Sequence, residues 1–181
     1  MKINIGSGEN KLKGYTNIDI EESTKPDLVC DFRKEPLPFK DEEVEEVTMF
    51  HCIEHIEFHH WHAILYEIRR VLKFGGRFML AYPEFEKCVT NFLENKNGLK
   101  DFWRMTLYGR QQYPGDYHVT PVVTGDLMKI LIDLGFDKIR AAPEHDQDFN
   151  TFLTCVKDHM ITREDLFRKE VFGIPIPSST T

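Results

Sequence analysis

A short apolar run halted by two glycines, KINI (2–5) before GSG (6–8), constrains this chain's fold more than any other feature. β-Branched residues favour an extended backbone, and Gly6 and Gly8 permit the turn that ends it. The motif then recurs in looser form. YTNIDI (15–20), DLVCD (27–31) and EEVTMF (45–50) read as further strands between turn-rich segments. WHAILYEIRRVL (61–72) carries Ile64, Leu65, Ile68, Val71 and Leu72 at helical spacing, and KFGG (73–76) is expected to stop that helix. RFMLAYP (77–83) reads as a buried strand. Thr124 is expected to cap a helix over GDLMKILIDLG, which Gly135 closes, before strands in FDKIRA and TFLTCVK. Strands alternating with helices or crossovers predict an α/β fold with a mostly parallel sheet. Ligands of such sheets bind at the carboxyl ends of the strands, near the point where strand order reverses.

The residues directly after the early strands are therefore the ones to inspect. Gly6, Ser7 and Gly8 form a turn that lets backbone approach a ligand, although many such turns are only turns. Asp19 ends the second strand candidate, where a carboxylate can accept both hydroxyls of a ribose or simply be solvated. Asp31 and Phe32 follow the third, offering an acceptor for an amino group beside an aromatic ring, or a loop acid and a core ring. The formal charge of −7 excludes a general nucleic-acid binder, whose phosphate contacts need clustered Lys and Arg, but not a nucleotide-like small ligand. No apolar stretch is long enough to span a bilayer, and MKINIGSGEN lacks the apolar segment of a signal peptide. Cys30, Cys52, Cys88 and Cys155 form no CxxC pair and read as reduced thiols, so a cytoplasmic location is expected.

Order and spacing carry more than any single residue. GSGENKLKGYTNIDI, DLVCDFRKEPLPFKDEEVEEV, HCIEHI and EIRRVLKFGGRFMLAYP together resemble the class I S-adenosylmethionine-dependent methyltransferases, most closely their compact type 11, glycan-pathway-like branch. The resemblance runs from Lys2 to Pro83 and resumes more loosely in LYGRQQYPGDYH and GDLMKILIDLGF. It implies a Rossmann-like α/β fold: a mostly parallel seven-stranded sheet with an antiparallel last strand and helices on both faces. It also implies S-adenosyl-L-methionine as cofactor. Gly6, Ser7 and Gly8 would line its methionine part, Asp19 would hold the ribose, Ile20 would cover the adenine, and Asp31 and Phe32 would sit at the adenine edge. Phe50, His51 and Cys52 would pass beneath the sulfonium. The domain is expected over 1–157, with 84–120 as a substrate-side lid and 158–181 as a C-terminal extension.

Two departures from the larger relatives stand out. Little room separates Gly8 from Asp19, so NKLKGY is expected to be a loop or a single turn rather than the usual helix. The chain also starts on the first strand, so part of any lid must come from 84–120 or from a partner chain; this and the IPIP segment are compatible with a homodimer.

HCIEHIEFHHWH (51–62) holds five of the eight histidines. On one continuous helix His51, His55 and His59 would share a face, as zinc ligands can. A turn between Phe50 and Trp61 breaks that face, HExxH is absent, and His59, His60 and His62 read as solvated helix-start residues, so no metal ligand is assigned. By the resemblance His51 lies beside the cofactor, to pack against it or to take a proton. His118 in GDYHVT is the other candidate base. Glu54, His55, Tyr108, Arg110 and His118 are the candidate substrate-side residues, with Arg104 a further cation for an anionic group. The expected reaction is in-line methyl transfer to a small-molecule or sugar acceptor, with no metal required. A nicotinamide-dependent oxidoreductase would need G-x-G-x-x-G and an acid further on, but Asn10 and Lys11 follow Gly8 and Asp19 comes too soon. A non-catalytic module that keeps the fold as a binding scaffold is the other alternative.

Overall fold

In a computed structural model that describes residues 1–112, 115–144 and 147–158, the strands join in one seven-stranded sheet. They are β1 (Lys2–Ile5), β2 (Thr16–Asp19), β3 (Leu28–Val29), β4 (Val44–Phe50), β5 (Leu72–Pro83), β6 (Phe136–Glu144) and β7 (Gln147–Lys157). Their order is β3-β2-β1-β4-β5-β7-β6, and β7 alone runs antiparallel to its neighbours. The order reverses between β1 and β4, so the carboxyl ends of β1, β2 and β4 converge on the switch point. Residues 159–181, the expected C-terminal extension apart from Asp158 and with its IPIP segment, lie outside the described residues, as does Tyr113.

The helices are α1 (Phe58–Val71), α2 (Phe85–Leu93), α3 (Lys100–Tyr108) and α4 (Thr124–Asp133). One sheet face, built from Ile3, Ile5, Ile18, Val47, Met49, Phe78 and Leu80, forms a single core with Trp61, Ile64, Leu65 and Ile68 of α1 and Leu127, Ile130 and Leu131 of α4. Burying each such side chain stabilises by about 1.5–3 kcal/mol. No helix among the described residues is long and apolar enough to cross a membrane.

Several boundaries differ from expectation. The helix starts at Phe58 and ends at Val71 without a glycine stop: Leu72 is already extended and opens β5. Val44 pairs with Leu72 and Glu46 with Arg77, so the glycine-containing segment 73–76 bulges from the strand instead of closing the helix. Val71 and Leu72 are both fully buried, which suits either assignment and hides the boundary in the sequence. Thr124 does not cap α4. It lies in the first turn, where its N–H (3.3 and 3.2 Å) and hydroxyl both donate to the Glu84 carboxylate at the end of β5. A hydroxyl that donates to an acid leaves that acid as the cap.

The crossover from β1 to β2 contains no helix, as expected, and the opposite sheet face shows what replaces it. Asn17, Asn4 and Thr48 are register partners across β2, β1 and β4, and all are buried. Thr48 Oγ1 donates to Asn4 Oδ1 (2.9 Å), and Asn4 Nδ2 to Asn17 Oδ1 (3.0 Å). Asn17 then holds the crossover: its Oδ1 accepts from Leu12 N–H (2.8 Å), and its Nδ2 donates to Leu12 O (3.2 Å) and Asp27 Oδ2 (2.9 Å). One row along, buried Glu46 accepts from Tyr15, Lys2 and Arg77. Asn17→Ala strands several of these groups away from water. It should cost about 3 kcal/mol, a fall in Tm of roughly 6–12 °C. A change under about 0.5 kcal/mol in denaturant titration would mean the loop is held some other way.

Candidate functional site

The turn after β1 is fixed from both sides. Ser7 N–H donates to Ile18 O (3.1 Å), and Gly8 N–H donates to Asp19 Oδ2 (2.7 Å). Asp19 Oδ1 accepts from Glu21 N–H (2.8 Å), so the carboxylate is oriented by two amides while each oxygen retains a second lone pair. Gly6 has φ +66°, and a Cβ there would lie 2.2 Å from Cys52 Sγ. The turn can therefore sit directly on the loop leaving β4 only because Gly6 has no side chain. Ser7 Oγ is buried without a hydrogen-bond partner. Ile20, just past β2, is 46% exposed. These residues fit S-adenosylmethionine: an oriented acid for a ribose, an uncovered aliphatic surface for a base, and an orphaned hydroxyl within a close-packed turn.

Of the other expected cofactor residues, Cys52 lies directly against Gly6. Asp31 is gripped by Arg33 (Nε to Oδ1 2.8 Å, Nη2 to Oδ2 3.1 Å) and by Lys34 (3.0 Å). Its hydrogen bonds to Arg33 hold its pKa well below the usual carboxylate range despite partial burial. Phe32 is half-buried against the core, and the Phe50 ring lies 5.9 Å from that of Phe152. His51 has φ +49°, with its N–H on Ala81 O at 2.7 Å. This left-handed residue turns the chain at the end of β4 and breaks the helical face that a zinc reading of 51–62 would need. His51 lies 3.6 Å from Glu54 and 3.4 Å from Glu144. Burial lowers its pKa, but the two acids outweigh burial and the net direction is up. Burial pushes the Cys52 thiol far up, which leaves it an inert packing group.

The expected substrate-side residues lie on a 3-10 turn, Ile53–His55, and on the segment after α3. Glu54 is 2% exposed, and its backbone carbonyl accepts from Val119 N–H (2.9 Å) and Thr120 N–H (3.2 Å). Thr120 Oγ1 donates to Ile56 O at 2.7 Å. This docking places the His118 ring 4.8 Å from that of His55, edge to face. Burial and the neighbouring His55 lower the His118 pKa, with Glu54 opposing in part. A small cavity is lined by Glu54, Phe85, Cys88, Thr106 and His118. Tyr108 and Tyr117 are exposed beside it in the chain. Arg110 instead pairs with buried Asp116 (3.3 Å), and Arg104 with Asp101 (2.6 Å), so both cations engage acids of their own segment. His59 and His62 are exposed, as expected, whereas His60 is half-buried with its ring 4.1 Å from that of His59. Glu144, which approaches His51 from the carboxyl end of β6, carried no signal beyond its place after a strand.

The comparisons agree with this geometry. Residues 12–80 match the methyltransferase domain family. No curated protein sequence matches the chain. Among solved structures, an Archaeoglobus fulgidus SAM-dependent methyltransferase shares 16% identity over 86% of this chain and 85% of its own, with a TM-score of 0.61. A SAM-dependent methyltransferase from Methanosarcina mazei aligns at 16% identity over 87% of this chain and 92% of its own, TM-score 0.59. A third, from Thermotoga maritima and described as a possible histamine N-methyltransferase, aligns at 16% identity over 87% and 82%, TM-score 0.58. Likeness at such identity shows the fold, while the family match covers Asp19, Asp31, His51, Glu54 and His55. Residues 12–80 thus match a methyltransferase domain, in a chain whose fold is that of S-adenosylmethionine-dependent methyltransferases.

Proposed function

We propose that this domain methylates a small-molecule acceptor, sugar hydroxyls included, by in-line displacement at the carboxyl ends of β1, β2 and β4. The observation that carries the reading is the Asp19 carboxylate, held by Gly8 and Glu21 amides beside exposed Ile20 and the buried, unpartnered Ser7 hydroxyl. S-adenosylmethionine, when bound, supplies an electrophilic methyl group on a sulfonium. Gly6, Ser7, Gly8, Asp19 and Ile20 would hold it, with Asp31 and Phe32 at the far edge and Phe50, His51 and Cys52 beneath. The chain's task is then alignment and exclusion of water. Val119 and Thr120, docked on the Glu54 carbonyl, bring His118 beside His55 and Glu54, a compact polar group suited to a small polar acceptor, which supports that substrate class. Glu54, His55 and Tyr108 would orient the acceptor. Where the acceptor must lose a proton, His118 is the base: its Nδ1 sits on Thr106 O (2.9 Å), leaving the Nε2 lone pair to take the proton. His51, between two acids, serves as a packing and positioning group under the cofactor.

Asp19→Ala should weaken S-adenosylhomocysteine binding at least about tenfold, because an oriented acceptor and the shape of the glycine turn are lost together. Calorimetric titration of wild type and variant reads this directly, with NAD as a control expected to give no heat. Equal affinity in the two proteins would remove Asp19 from the site. A panel of sugar, amine and carboxylate acceptors, followed by S-adenosylhomocysteine formation, then identifies the substrate. Binding without turnover on every member would favour a non-catalytic role.

A further inference from the structure

Three acceptor-type groups meet on the acceptor side of the site with no proton donor among them. Both carboxylate oxygens of buried Glu54 lack a hydrogen-bond partner. One potential ligand atom from each of Glu54, His55 and His118 lies within 4.8 Å of the other two. Each imidazole has its Nδ1 on a backbone carbonyl: His55 on Tyr117 O at 3.0 Å and His118 on Thr106 O at 2.9 Å. A carbonyl only accepts, so Nδ1 carries the hydrogen and Nε2 is left with its lone pair. Backbone carbonyls that fix the tautomer in this way are the usual outer-shell partners of metal-binding histidines. The burial of an unsatisfied carboxylate costs free energy unless something positive meets it. His51 Nδ1, 3.6 Å from Glu54 Oε1, can pair with one carboxylate oxygen when protonated but lies beyond hydrogen-bond distance, so both oxygens keep lone pairs for a ligand.

We propose that Glu54, His55 and His118 hold a divalent first-row transition-metal ion. Two imidazole nitrogens with one carboxylate suit zinc, iron(II) or manganese(II) in that chemical class and disfavour magnesium and calcium, which prefer oxygen ligands. Three protein ligands leave positions open, and the half-buried histidines set those openings on the acceptor side. The site rests on the function above and revises its acceptor half: with the ion bound His118 Nε2 is a ligand rather than the base, and the ion lowers the pKa of an acceptor hydroxyl so that its proton leaves to water before the methyl group is transferred. The site could not be read from the histidine run alone. His55 finds its partner not at helical spacing but on a distant loop, brought in by Val119 and Thr120 on the Glu54 carbonyl.

The test begins with chelator-treated protein carrying His59→Ala, His60→Ala and His62→Ala, which removes the surface histidines able to bind zinc adventitiously. Titrated with zinc chloride alone, it should take one ion per chain and give no comparable heat with magnesium chloride. Glu54→Gln and His118→Ala in that background should each weaken zinc binding at least about tenfold. Cobalt chloride should produce a visible absorption band that both substitutions abolish. Melting and S-adenosylhomocysteine titration are run on every variant. If Glu54→Gln does not fold, His118→Ala, on a surface loop, and the parent titration decide. Loss of all zinc binding with the three surface histidines, or unchanged affinity in the variants, overturns the site. S-adenosylhomocysteine binding without zinc binding overturns the metal and leaves the methyltransferase reading intact, and the converse result separates them the other way.

Discussion

Gly6→Ala should abolish measurable S-adenosylhomocysteine binding and lower stability by about 3 kcal/mol, roughly 6–12 °C in Tm. Two independent penalties add. The backbone at φ +66° disfavours any side chain, and the new Cβ would stand 2.2 Å from Cys52 Sγ and 2.7 Å from its Cβ. Neither neighbour can retreat easily. Cys52 is buried beside Ile53 and Glu54, and the turn itself is tied to β2 through Ser7 N–H and Gly8 N–H. Relief must come from moving the turn, and that displaces the amide that orients Asp19. Cys52→Ala in the same chain should recover only part of the loss, since its Cβ stays in place. Native melting with unaltered ligand affinity in Gly6→Ala would show that the turn and the β4 loop are not packed as described.

Gly109→Ala should act on the other half of the site. Here φ is +78°, and a Cβ would lie 1.9 Å from Asp116 O and 3.0 Å from His118 N. The clash falls within a surface loop rather than the core, so stability should drop by only about 1–2 kcal/mol. His118 N–H donates to Tyr108 O (3.2 Å), and that closure is lost when the strands of the loop are forced apart. Turnover of an identified acceptor should fall at least about a hundredfold, the scale expected when a reacting group is misplaced by an ångström. S-adenosylhomocysteine affinity should stay within about twofold, because the glycine turn and Asp19 are untouched. A parallel loss of cofactor affinity would mean that the loop also covers the cofactor.

Much of the fold was legible because its signals are local. KINI and TNID are strands because alternate β-branched residues enter the core and a glycine or an acid ends them; the 45–50 run is one because its apolar residues are buried, and left-handed His51 ends it; α1 and α4 follow helical spacing that their buried faces confirm. What escaped depends on long-range partners. The end of α1 is set by the pairing of Leu72 with Val44, which two adjacent buried aliphatics cannot announce. The cap of α4 comes from Glu84, forty residues earlier. At the site, Gly6, Ser7, Gly8 and Asp19 could be assembled from spacing after strands, since the sheet itself brings strand ends together. Arg110, expected on the substrate side, pairs with Asp116 of its own segment while its side chain stays largely exposed, a pairing that the sequence spacing did not announce. The grouping of His55 with His118 had no sequence period to reveal it.

The asparagine–threonine ladder across β2, β1 and β4 has an implication for anyone redesigning this domain. A crossover helix grafted from a larger relative between Gly8 and Tyr15 would find no greasy ground to settle on, only amides already spoken for. Enlargement of the scaffold would have to begin underneath, with aliphatic replacements at Asn4, Asn17 and Thr48, before any new segment could be laid on top.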